Sequence, residues 1–196
     1  MAKTLMEMAG ADLTPPALKD TTLLIIDAQN EYVTGKLPLP GVDAALSNIG
    51  MLIAKARAGG SPVVHVRHKG RPGGLFDPEQ DNFAIHSSVS PAAGETVVDK
   101  ALPNAFAGTT LDATLKNIGA KRLVIVGFMS HMCISSTARA ALDLGYQTVV
   151  PHDASATRDL PSPDGDGVIA AADIHRAELA ALADRFALVC AAADLG

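Results

Sequence analysis

The chain has 196 residues, 48% of them hydrophobic, with 16 basic and 21 acidic side chains for a formal net charge of −5. At roughly 100–200 residues per domain, this describes one domain whose core needs no disulfide or metal staple. The acidic balance argues against a nucleic-acid surface, and no apolar run reaches the ~18 residues of a membrane span.

The opening, MAKTLMEMAGADLTPP, has no signal-peptide apolar stretch. Residues 1–20 read as an appended arm and 21–196 as the domain. Buried strands are predicted at Thr22–Ile26, Pro62–Val66, Leu123–Val126 and Thr148–Val150, with shorter ones at Thr96–Val98 and Phe186–Val189. These runs are continuously apolar, as strands covered on both faces are. Between them, Val42, Leu46, Ile49, Ile53 and Ala56 mark one face of a helix that Gly59-Gly60 ends. A second helix carries Leu111, Leu115 and Ile118, and a third runs from Ser130 to Leu144. A last stripe takes in Val168, Ala172, His175, Leu179, Leu182 and Phe186. This alternation predicts an α/β fold of three layers, α/β/α: a Rossmann-like, mostly parallel sheet of about six strands with helices on both faces. His68–Gly94 is too long for an idle connection and reads as a lid or substrate wall. Asp159–Gly167, polar and rich in Pro and Gly, reads as mobile.

Ligands of open parallel sheets bind beyond the carboxyl ends of the strands, so polar residues just past each strand are the candidates. Asp27 follows the first strand. Desolvation there raises a carboxyl pKa toward acid–base use, although a loop-capping Asp fits as well. Lys100 follows a short strand and by itself reads as an exposed surface lysine. Near Asp27 and a thiol it would favour both anions. Cys133 stands in the first turn of a predicted helix, where free N–H groups favour a thiolate and can bind an oxyanion. A buried small hydrophobe is the alternative. Cys190, in an apolar run, reads as buried and inert. The two cysteines form neither a zinc-like spacing nor a disulfide framework, so a reducing cytoplasm is expected. His65 and His175 read as satisfied core or interface histidines. His68 and His86 lie in or beside the long loop, where they could line a pocket.

Three segments taken together are recognisable: LLIIDAQNEY (23–32), residues 95–150, and PHDASA (151–156). The ordered set is D-x-Q, then K-x-x-x-x-A-F-x-G-T, then G-x-x-x-x-x-C-x-x-x-T-A-x-x-A-x-x-x-G-Y. It resembles the isochorismatase-like cysteine hydrolase superfamily, which includes nicotinamidases and N-carbamoylsarcosine amidohydrolases. The resemblance implies a catalytic triad of Asp27, Lys100 and Cys133. It also implies a cis peptide at Phe128-Met129 and an oxyanion hole from the N–H groups of Met129 and Cys133. Substrate contacts fall on Gln29, Tyr32, Phe106 and His131, with Tyr32 as the stacking aromatic and Phe106 as a pocket wall. A homo-oligomer, dimer or tetramer, acting on a small molecule follows from the same likeness.

Two departures narrow the expectation. Where nicotinamidases carry a metal-binding Asp-x-His, this chain reads Val66-Arg67-His68-Lys69, so no metal or other cofactor is expected. Arg67 and Lys69 would repel a divalent ion. Enzymes that hydrolyse isochorismate proper lack the nucleophilic cysteine, and Cys133 is present. The expected activity is therefore hydrolysis of an amide or carbamoyl C–N bond. Isochorismatase-type ether hydrolysis is one alternative, and a non-catalytic binding or redox-sensing homologue is another.

Overall fold

Thr22–Ile26 forms β1, with every residue buried. The computed structural model describes residues 2–196. Within them β1 lies at the centre of a parallel sheet, between β2 (Val63–His68) and β4 (Arg122–Phe128). β3 (Thr96–Lys100), β5 (Gln147–Pro151) and β9 (Leu188–Cys190) complete the order β3-β2-β1-β4-β5-β9. The two-residue strand β6 (Ser155–Ala156) pairs with Gly127 and Phe128 at the far end of β4. All of these pairings are parallel.

Side chains alternate across a strand, and this builds the layers. Leu23 and Ile25 face α2 (Val42–Gly59), whose Val42, Leu46, Ile49, Ile53 and Ala56 lie against them. Leu24 and Ile26 face the opposite layer, which holds α3 (Leu111–Asn117), α4 (Ser135–Asp143) and α5 (Ala171–Arg185). Burial on both faces is why the strands read as unbroken apolar runs. α2 ends as expected, with Gly60 at φ 72 donating to the Ala56 and Arg57 carbonyls.

The helix expected over 130–144 is in two parts. Ser130–Ile134 makes one wide π turn before α4 begins. The last stripe begins later than its pattern suggests. Val168 is 68% exposed and belongs to β8 (Val168–Ile169), which pairs with β7 (Leu160–Pro161). The stretch read as mobile is therefore the tip of a hairpin, and Asp159 caps α5 through the Ala171 N–H at 2.8 Å. Residues of the N-terminal arm form a short helix, α1 (Leu5–Met8), tied to α5 by Leu5 N–H donating to Asp184 at 2.8 Å.

Strand order reverses between β1 and β4, the place beyond whose strand ends open parallel sheets bind their ligands. Gly127 makes the junction possible. Its φ is 116, and a Cβ at that position would sit 1.9 Å from the Ile26 carbonyl oxygen. The Phe128-Met129 peptide that follows is cis, as expected.

Candidate active site

Chain reversal just past β1 is sharp: Asp27 takes φ 52, which Asp tolerates better than most residues. Its N–H donates to the Val66 carbonyl at 2.9 Å. This turns the carboxyl into the protein, where it is fully buried. Lys100, at the end of β3, stands opposite His68 in register and sends its side chain across β2 toward the same point. The expectation of a surface lysine is overturned, because the Lys100 side chain is entirely buried. Strand pattern alone cannot show that an edge-strand residue points inward along the strand ends.

The Lys100 ammonium lies 2.7 Å from Asp27 Oδ2, 3.3 Å from Cys133 Sγ and 3.1 Å from His68 Nδ1. Donor atoms of Asp27, His68 and Cys133 are all within 4.8 Å of one another. Such a triad has the chemistry to ligate a metal, and a lysine ammonium is what sits among its donors. Arg67 is not that charge. It turns away to pair with Asp99 at 2.8 Å and covers the Phe83 ring.

Burial raises the Asp27 pKa, against the pull of Lys100. Burial and the Asp27 charge push the Cys133 thiol up to about 12, with Lys100 opposing. This differs from the thiolate expected at a helix start. The wide turn sinks Cys133 to 4% exposure, and desolvation outweighs the favourable end of the helix. The turn is anchored by the Met129 carbonyl, which accepts from Met132 and Ile134 N–H at 3.0 and 3.2 Å. Met129 and Cys133 thus bracket one turn.

The other expected contacts divide. Tyr32 borders the cluster. Its ring packs edge-on against Phe76 at 5.2 Å and Phe128 at 5.7 Å, which leaves it little face to offer a ligand. Burial and the nearby Asp27 and Cys133 charges raise its pKa. His131 is held by Thr157 Oγ1 through Nδ1. Gln29 is not free for substrate. Its amide donates to the His68 and Phe83 carbonyls at 3.0 and 2.8 Å and accepts from His68 N–H at 2.8 Å, so it clamps the long loop to β2. Phe106 stacks on Tyr146 at 5.9 Å and packs against the apolar cluster that also holds Cys133, whereas Tyr32 belongs to the cluster on the other face of the sheet. Among the histidines, His68 joins the cluster, whereas His86 only caps a turn through Ser88. His65 is buried against Glu95, and His175 contacts Ser130 Oγ and the His152 carbonyl, each at 2.9 Å.

One residue named without a partner, His68, and two not named at all, Glu31 and Arg158, belong with the site. His68 was a loop-side candidate without a partner and is now the third neighbour of Lys100. Glu31, 1% exposed, accepts from Phe76 N–H at 2.9 Å. Phe76 has φ 53, rare for a bulky residue, and that contact holds it over Tyr32 and His68. Arg158 has a buried Nε with no hydrogen-bond partner among the described residues. Its positive charge acts on both Tyr32 and His131. The signal for Glu31 was its place between Gln29 and Tyr32, and for Arg158 its place two residues past β6, just beyond the segment 151–156.

Among the described residues, no helix is long and apolar enough to cross a membrane. A family model described as Isochorismatase domain matches residues 21–194. The secreted isochorismatase effector Isc1 of Verticillium dahliae is 37% identical over 189 residues, spanning 96% of each protein. A streptothricin hydrolase of Streptomyces noursei is 39% identical over 172 residues, covering 87% of this chain and 62% of that protein. The crystal structure of an isochorismatase from Pseudomonas putida KT2440 superposes with a TM-score of 0.95, at 45% identity and full coverage of both chains.

Proposed function

The chain belongs to the isochorismatase family of hydrolases, and from that premise we propose that it is a cysteine-dependent amidohydrolase cleaving a C–N amide or carbamoyl bond of a small molecule through a thioester. The observation that carries this reading is the Lys100 ammonium in contact with both the Asp27 carboxylate and the Cys133 sulfur. Relatives named maleamate amidohydrolase and N-carbamoylsarcosine amidase support amide chemistry.

In this reading the resting pair is a neutral thiol beside a carboxylate. As Cys133 Sγ attacks the carbonyl carbon, Asp27 takes the thiol proton. The tetrahedral oxyanion is received by the N–H groups of Met129 and Cys133. Collapse breaks the C–N bond, and Asp27 returns the proton to the leaving nitrogen. Asp27 then deprotonates a water, which hydrolyses the thioester and regenerates the thiol. Lys100 favours the ionised carboxylate, opposing the burial that raises its pKa, and steadies the sulfur as it becomes anionic.

Arg158 extends the proposal to the substrate. An arginine with an unpartnered buried donor, whose charge is felt at Tyr32 and His131, favours an amide that also bears a negative charge. Cytoplasmic placement and assembly as a homo-dimer or tetramer belong to the same proposal. The two cysteines are free thiols, which suits a reducing compartment.

The test is a panel of small amides assayed for ammonia or amine release, with intact-mass detection of the acyl-enzyme. Cys133→Ala should lose all turnover and the acyl adduct, while keeping the parent's circular dichroism. Turnover by the alanine variant, or none by the parent on any amide, would sink the reading.

A further inference from the structure

An ammonium has three N–H donors and no acceptor. The Lys100 ammonium, fully buried, has three acceptors around it: Asp27 Oδ2, Cys133 Sγ and His68 Nδ1. Two of these are the reacting groups of the proposed mechanism. The third has no chemical part in it. We propose that His68 is a positioning residue, whose Nδ1 lone pair holds the Lys100 ammonium between the carboxylate and the thiol. The proposal rests on the role given to Lys100 above, and its readout needs no substrate.

Nδ1 accepts only in the neutral tautomer that carries its proton on Nε2. Lys100 at the end of β3, Asp27 after β1 and Cys133 in the wide turn are the ionisable groups gathered with the ring. Burial and the Lys100 charge push its pKa down to about 4, so the ring is neutral at neutral pH. A charged His68 would turn an N–H toward the ammonium and break the contact. The ring is also fixed in place. Gln29 holds its backbone N–H and carbonyl at 2.8 and 3.0 Å, and Phe76 packs against it at 4.9 Å between centroids. This gives the Gln29 clamp and the strained Phe76 a purpose: they orient the acceptor that orients the lysine.

The experiment measures alkylation of Cys133 by iodoacetamide between pH 6 and 10. A Cys190→Ala background makes every modification report on Cys133. His68→Leu keeps the bulk and removes the acceptor, whereas His68→Asn keeps an acceptor oxygen near the Nδ1 position. With Leu, the alkylation rate at pH 8 should fall about tenfold and its pH profile should move up by about one unit, since the unheld ammonium no longer favours the thiolate. With Asn, the rate should stay within about threefold of the parent. A Leu variant with the parent's profile, or an Asn variant as slow as Leu, would overturn the proposal. If Leu fails to fold, His68→Ala serves with and without added imidazole. Recovery of the rate with imidazole supports the role, and no recovery rejects it. A parent that releases no ammonia from any amide overturns the amidase reading and leaves this comparison standing.

Discussion

At the scale of single residues, the proposed chemistry and the proposed recognition fall on different side chains. Asp27, Lys100 and Cys133 form a closed ionic cluster with no charge left over for a distant part of a ligand. Arg158 is outside it, with a buried Nε that no described residue satisfies. Arg158→Gln should therefore raise KM for an amide bearing a carboxylate by about 10- to 100-fold, the ~1.5–3 kcal/mol of a hydrogen bond to a charged group. The kcat should change little, and a neutral amide of similar size should be affected far less. Steady-state kinetics on such a pair checks it, and equal losses on both substrates would deny the residue a recognition role. Motif order in the sequence named Asp27, Lys100 and Cys133 together, and the structure gathers them. Gln29 shows that motif membership says nothing of where a side chain points: its amide is consumed by the His68 and Phe83 backbone.

At the scale of elements, the lysine-bearing strand needs its own support. Glu95, just before β3, accepts from Arg57 of α2 at 2.8 and 2.9 Å, from Ala92 N–H at 2.8 Å, and meets His65 of β2 at 3.1 Å. It joins helix and strands at the start of β3. The Arg57 hydrogen bonds lead in holding its pKa down, to about 2 from an ordinary 4.5. A depressed carboxyl pKa contributes stability that is fully present above 4.5 and lost as pH falls toward 2. Urea midpoints from pH 7 to 3 should fall in the parent, and the Glu95→Gln difference should shrink as the pH drops through that window. A difference independent of pH would refute the linkage. The parallel strands and the α2 stripe were legible because burial on both faces writes an unbroken apolar run and burial on one face writes a helical period. Val168 was not: a residue of a short hairpin carries no period, and it happened to fall in phase with α5.

At the scale of the whole molecule, two apolar layers meet on a sheet whose strand order reverses at β1 and β4, and the ionic cluster sits at that reversal. The charge at its centre is the ammonium of Lys100, held by three partners. A divalent ion taking Asp27, His68 and Cys133 as ligands would have to displace it. Ammonia release should therefore survive prolonged dialysis against EDTA, and elemental analysis should find no stoichiometric zinc, iron or manganese. Activity lost on chelation and restored by one metal would overturn that expectation. The sequence reading held the same expectation from Arg67 and Lys69. Arg67 proves to be turned to Asp99, and the charge that matters comes from a lysine read by itself as a surface residue.

Among the described residues β3 pairs with a single neighbour, β2, and Thr96, Val97 and Asp99 are exposed along it. An edge of this kind opens by local fluctuation at a lower free energy than the strands inside the sheet. Each opening would carry Lys100 out of the cluster while β1 and β4 stay folded. The fraction of molecules able to react would then be the fraction in which the edge is closed. In amide hydrogen exchange, β3 should lose protection well before β1 and β4. A ligand seated against the cluster should slow exchange in β3 by a factor that grows with its concentration above Kd. Uniform protection across β1, β3 and β4 would mean that the sheet opens only as a whole.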